Sequence, residues 1–323
     1  MSKKHYHRLP LAVRMTRPVI ITIFVFFFLS ISFPIYSGGE NESAEKAAGE
    51  LSVFVSIVPQ KFFAERVGGI KVNVTALVPA GRSPHTYDPS PKQVLKLGKA
   101  DLYFTIDVDF EEAFVPEIRS GLPNLEITDS REGIELKSIG EHRHGEDDEI
   151  DPYKEKEEEH PDPHVWLDPL NGKKIAANIR DALIEMDPEG DEIYEENYRQ
   201  LAEDIDELHR ELSGTLAPVR GETFLVFHPA FGYFADRYDL DQEAVEIGGN
   251  EPSPGQLSSI IKRAKEENVR VIFVQPQFSK KSAQTIADAI GGAVVPIDPL
   301  AENWLSNLRT IAKKVREGLG NEE

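Results

Sequence analysis

Short β-branched runs and helical runs alternate twice along this chain, and a long amphipathic stretch stands between the two series. In the first series Leu51–Ile57, Val72–Val78, Leu102–Ile106 and Leu125–Thr128 read as strands, with helical runs at Lys61–Val67 and Lys92–Lys99. In the second, Thr223–Phe227, Glu243–Ile247, Val271–Val274 and Ala293–Ile297 read as strands. Helices are expected there from about Ala230 and over Pro254–Glu267, Lys280–Ile290 and Asn303–Gly318. Strands separated by helices are joined by crossovers and not by tight hairpins, so each series predicts βαβ units and a mainly parallel sheet. Between them Tyr194, Tyr198, Leu201, Ile205, Leu208 and Leu212 recur at three- and four-residue spacing, one apolar stripe on a helix ending near Gly214. The expected fold class is α/β: two β/α lobes with mainly parallel sheets, joined by one long stiff helix.

Open parallel sheets bind ligands beyond the carboxyl ends of their strands, so residues just past a strand end carry the functional argument. The run ending at Val78 leads into Pro79-Ala-Gly-Arg-Ser-Pro-His85-Thr-Tyr-Asp88-Pro-Ser-Pro91. The run Thr223–Phe227 ends on His228-Pro229, and Ala293–Ile297 ends on Asp298-Pro299. The stretch Pro161-Asp-Pro-His164-Val-Trp-Leu-Asp-Pro169 holds another histidine close behind Pro163, with Val165, Trp166 and Leu167 as apolar bulk that must pack inward. Asp168 reads as the N-cap and Pro169 as the first residue of a helix over Leu170–Met186. Singly, each group also has a plain structural reading. His85 is satisfied by Asp88 or backbone, His164 is a buried hydrogen-bonded residue, or Asp298 caps the last helix.

Charge and cysteine usage narrow the partners. With 56 Asp and Glu against 36 Lys and Arg, and a net charge of −20, the chain lacks, outside its N-terminus, the basic clusters that phosphate backbones require, so no nucleic-acid partner is expected. The chain has no cysteine, which removes thiolate ligands, disulfides, a thiol nucleophile and a lipid-modified cysteine together; any metal must be held by His, Asp or Glu. Lys3, Lys4, Arg8, Arg14 and Arg17 precede an apolar run from Val19 to Ile35, the pattern of an export signal or, if uncleaved, of a membrane anchor, with Glu40–Glu50 as a tether. Glu141–His160 is crowded with acids and contains His142, His144 and His160; it reads either as a solvated insertion or as a loop that collects metal.

His85, His164, His228 and Asp298 share one design: a metal-type donor beside proline at a rigid turn, two in each half. Together they make an N3O set that suits tetrahedral zinc, since manganese and magnesium favour oxygen-rich sites. The motifs Gly81-Arg-Ser-Pro-His85-Thr-Tyr-Asp-Pro-Ser, Asp162-Pro-His164-Val-Trp-Leu-Asp-Pro169, Phe227-His228-Pro-Ala-Phe-Gly-Tyr-Phe234 and Ile297-Asp298-Pro-Leu300 resemble, in this order, those of the zinc and manganese solute-binding proteins of ABC transporters. That resemblance runs from about Leu51 to the C-terminus. It implies a metal in the cleft between the lobes, ligated by His85, His164 and His228 with Asp298 at the carboxylate position. Histidine at position 228 is nearer the zinc-type members, with Mn2+ as the alternative cargo. The turn Gln275-Pro-Gln277 departs from relatives that carry glutamate there.

The expected organisation is 1–50 signal or anchor and tether, 51–190 first lobe, 191–218 linker helix and 219–323 second lobe. The expected function is capture of Zn2+ outside the cytoplasmic membrane, in the periplasm or on its outer face, for delivery to an ABC permease, with no catalysis by the chain itself. A secreted zinc hydrolase would need a general base beside its metal, and there is no His-Glu-x-x-His motif here. A metal-stabilised adhesion or scaffold protein is the other alternative.

Overall fold

The computed structural model describes residues 50–138, 161–246, 253–266, 269–278 and 280–320. The expected signal or anchor and the acidic stretch Glu141–His160 lie outside these residues. Among the described residues no helix is long and apolar enough to cross a membrane.

Strands β1 (Leu51–Val55), β2 (Val72–Ala76), β3 (Leu102–Thr105) and β4 (Glu126–Asp129) form a parallel sheet in the order β2-β1-β3-β4. They are linked through α1 (Val58–Gly68), α2 (Pro91–Leu97) and α3 (Asp109–Gly121), and α4 (Pro169–Met186) follows β4. The second half repeats the plan. Strands β5 (Thr223–Val226), β6 (Asp241–Ala244), β7 (Val271–Val274) and β8 (Ala293–Pro296) are parallel in the order β6-β5-β7-β8, with α6 (Gly232–Arg237), α7 (Pro254–Glu266), α8 (Lys280–Ile290) and α9 (Trp304–Leu319). In each sheet the chain reverses direction of growth between its first and third strands, and this is where an open α/β sheet leaves a binding crevice.

Helix α5 (Asp191–Leu216), 26 residues, joins the halves; at 1.5 Å per residue it is ~39 Å long. Its stripe of Tyr194, Leu201, Ile205, Leu208, Leu212 and Leu216 is buried, and the helix packs on α1 and α4 from the first half and on α9 from the second. A single apolar core therefore runs through both lobes. Alternation along β5 divides the second lobe: Phe224 and Val226 face that common core, while Leu225 faces a separate cluster with Ile260, Ala264, Ile286 and Ala287 of α7 and α8.

The stretch around His164 is where the lobes are tied. Nε1 of Trp166 donates to the backbone oxygen of Pro299 at 2.8 Å, and Nε1 of Trp304 donates to the backbone oxygen of Trp166 at 2.8 Å. Asp168 caps α4 by accepting from Leu170 N and is gripped by Arg237 of α6, whose Nε and Nη2 lie 2.9 and 2.6 Å from Oδ2. Gly172 allows the close approach: a Cβ there would lie 2.7 Å from the Trp304 ring. Two lobes fastened this way hold their crevice at a set width.

The sequence reading omits α3. Phe110, Phe114 and Ile118 do recur at four-residue spacing, but Pro116 lies inside the helix and argues against it, because it lacks the N–H for a bond to the preceding turn. Tertiary packing of Phe110 and Ile118 into the common core overrides that cost.

Candidate metal centre

Three turns bring three imidazoles together. His85 lies in a short 3-10 turn (Pro84–Thr86) beyond β2, where the Ser83 side chain accepts from the His85 backbone N–H. His164 precedes the 3-10 turn Val165–Leu167, and Oδ1 of Asp162 accepts from its backbone N–H at 2.9 Å. His228 follows β5 and is clamped by the Gln275 side chain, whose Oε1 accepts from His228 N at 3.2 Å and whose Nε2 donates to His228 O at 2.7 Å.

Every ring is turned the same way. Nδ1 of His85 donates to Asp109 at 2.9 Å, Nδ1 of His164 to Asp162 at 2.7 Å and Nδ1 of His228 to Glu246 at 2.7 Å. A carboxylate only accepts, so each Nδ1 carries the hydrogen and each neutral ring keeps its lone pair on Nε2. The Nε2 atoms face one another: 3.0 Å from His85 to His228 and 3.4 Å from His228 to His164. A tetrahedral zinc with bonds of ~2.05 Å to imidazole would place its ligand atoms ~3.3 Å apart, so these separations match the edges of such a site. The ligand nitrogens of all three lie within 4.8 Å of one another.

Burial keeps His228 in the form that binds metal. It pushes the imidazole down to about 4, against the Glu246 hydrogen bond that raises it and with help from the neighbouring His164 and His85. The hydrogen bond from His85 holds the Asp109 carboxyl below its ordinary range. Phe278 stacks on the His228 ring at 4.8 Å between centroids and 20° between planes, closing one side. The cavity among these groups measures about 20 Å³ and is also lined by Val108, Trp166, Gln277, Pro299 and Leu300. That is room for one water-sized guest, which suits an ion and not an organic molecule. The donor chemistry, with three imidazoles each backed by a carboxylate, fits a divalent cation.

Of the four residues singled out from sequence, His85, His164 and His228 are brought together and Asp298 stands apart from their cluster. Oδ1 of Asp298 accepts from Nε2 of Gln277 at 3.0 Å and from the backbone N–H of Leu300 at 2.9 Å. The sequence assigned no role to the outer partners Asp109, Asp162 and Glu246, and it marked Gln275 without its clamping role. Their one signal was position: Glu246 and Gln275 follow the ends of β6 and β7, the two strands flanking β5, but that adjacency follows from strand order.

Comparison with known proteins gives one consistent answer. The family model described as zinc-uptake complex component A, periplasmic (ZnuA), matches residues 53–318. The high-affinity zinc uptake system protein ZnuA of Bacillus subtilis is 32% identical over 265 residues, spanning 80% of this chain and 81% of that protein. The zinc-binding protein AdcA of Streptococcus pyogenes is 30% identical over 264 residues, 79% of this chain, but this chain spans only 51% of that longer protein. Among solved structures, one described as the crystal structure of ZnuA superposes with a TM-score of 0.76 at 36% identity, covering 84% of this chain and 100% of the other.

Proposed function

The chain belongs to the ZnuA family of periplasmic zinc-uptake components, and from that premise we propose that it captures Zn2+ outside the cytoplasmic membrane and delivers it to the permease of an ABC transporter. The observation that carries this reading is the convergence of three Nε2 lone pairs, 3.0 and 3.4 Å apart, each fixed by a carboxylate on its other nitrogen. His85, His164 and His228 hold the ion, and the protein supplies position and charge compensation without catalysing a reaction. Nitrogen-rich coordination favours zinc over manganese. Residues 51–190 and 219–323 serve as the two metal-holding lobes, 191–218 as their linker, and 1–50 as the exporting or anchoring segment. Because Trp166, Trp304 and Arg237 tie the lobes together, release depends on small movements of the His85 and Phe278 turns imposed by the permease, and not on wide opening of the lobes.

The test is metal analysis of protein purified without added metal, followed by competition between Zn2+ and Mn2+ for the wild type and for His228→Glu. Zinc should co-purify, and the variant should lose much of the zinc preference. A wild type that binds no zinc sinks the reading, and identical preference in both proteins removes His228 from the selectivity argument.

A further inference from the structure

Gln277 lines the same cavity as the three histidines, in the turn just past β7. Its Nε2 donates to Oδ1 of Asp298 at 3.0 Å. A carboxylate offers no hydrogen, so the amide must present its nitrogen to Asp298 and its oxygen to the opposite side. That oxygen is buried, and among the described residues Gln277 Oε1 is the single buried side-chain nitrogen or oxygen without a hydrogen-bond partner. Buried polar atoms are almost always satisfied, because leaving water without a new partner costs free energy. The residue that carries this orphaned acceptor lines a cavity shared with three imidazoles, and what the acceptor lacks is what their free nitrogens also lack, a positive charge.

We propose that Gln277 Oε1 is the oxygen donor that completes the metal sphere with His85, His164 and His228, and that Asp298 is its positioning residue, holding the amide so that oxygen and not nitrogen faces the ion. This rests on the zinc-capture reading and assigns its fourth donor. Oδ1 of Asp298 accepts from both Gln277 Nε2 and Leu300 N, which ties the amide to the turn that follows β8. A neutral amide oxygen is a weaker donor than a carboxylate, which suits a site that must give its cargo away. The double charge of the ion is then balanced by Asp109, Asp162 and Glu246 across the imidazoles.

The two roles predict opposite behaviour for two near-isosteric substitutions. Asp298→Asn keeps an acceptor oxygen for the Gln277 amide but removes a negative charge; Gln277→Leu fills the same space and removes the donor. Affinity is measured by competition with a chromophoric chelator for Zn2+, and coordination by the visible spectrum of the Co2+-loaded protein. Gln277→Leu is expected to bind Zn2+ roughly 10- to 100-fold more weakly, with a changed Co2+ spectrum. Asp298→Asn is expected to stay within about threefold of wild type with the spectrum retained, the size of one neutral hydrogen bond altered. Thermal melts of the metal-free variants show that each folds, and the isosteric Gln277→Met repeats the test if Leu does not. Wild-type affinity in the Gln277 variants, or a loss greater than about tenfold in Asp298→Asn, overturns the proposal. Failure of the wild type to bind Zn2+ or Co2+ overturns the capture reading instead, so the two failures are distinct.

Discussion

Nε2 of His85 lies 3.0 Å from Nε2 of His228, although 143 residues separate them and they hang from different sheets. The contact exists because both sheets use one strand order and point the same carboxyl ends into one crevice. Each lobe thus contributes a part of the site that is useless alone.

Removing a ring should cost more than removing what steadies it. His228→Ala is expected to weaken zinc binding by roughly 100-fold or more, since loss of an outer partner alone typically costs 10- to 100-fold. Glu246→Gln keeps a neutral acceptor for Nδ1 of His228, now held at 2.7 Å, and is expected to weaken binding by roughly 10-fold. Chelator competition on both variants checks the order; equal losses would mean Glu246 does more than orient the ring.

The grip between lobes can be tested without touching a ligand. Asp168 is buried at 3% exposure and receives Nε and Nη2 of Arg237. Arg237→Ala leaves that carboxylate with its α4 cap as the main partner. Orphaning one member of a fully buried pair commonly costs 3–5 kcal/mol and breaking an exposed pair under about 1, so with the Arg237 side chain 36% exposed the expected loss is about 2 kcal/mol. Urea unfolding measures it. A loss under about 1 kcal/mol would show that water substitutes for the guanidinium.

Much of this was legible from pattern alone, for identifiable reasons. The parallel sheets follow from alternating strand and helix periods, and α5 from one unbroken stripe between Tyr194 and Leu212. The three histidines follow from proline at turns past strand ends or beside a helix start. What stayed hidden needs relations between strands. Asp109 is the first residue of α3, which Pro116 disguises, and its contact with His85 crosses from one loop to another. Glu246 reaches His228 only because β6 lies beside β5. The contact of Asp298 with Gln277 is a side-chain hydrogen bond, which no spacing encodes.

Glu111 gives the fold a pH dependence of its own. Its carboxyl is buried between Ser56 and the backbone N–H groups of Ile106 and Asp107, and burial raises it from 4.5 to about 7, against those hydrogen bonds. Between these values the folded protein keeps a proton that the unfolded chain has released. Stability is therefore fully present below about 4.5 and declines as pH rises through 7. Glu111→Gln keeps an acceptor oxygen and cannot ionise, so wild type minus variant should fall by on the order of 3 kcal/mol from pH 4.5 to 8. Parallel pH profiles of the two proteins in chemical denaturation would contradict a raised carboxyl at this position.

Metal removal separates cargo from scaffold. The common core runs through both lobes on apolar contacts alone, and the ties at Trp166, Trp304 and Arg237 hold without an ion. The three imidazoles are likewise oriented by Asp109, Asp162 and Glu246 before any metal enters. Chelator-treated protein is therefore expected to keep its far-ultraviolet dichroism and a cooperative melt. Zinc that binds only the folded state, supplied at about 100 times its Kd, should then add about 2.7 kcal/mol of stability. For a chain of this size that is a rise of roughly 4–5 °C in Tm. Loss of secondary structure on chelation would instead make the ion a structural part of the protein, as the scaffold alternative requires, because a receptor that unfolds each time it gives up zinc could not return for another.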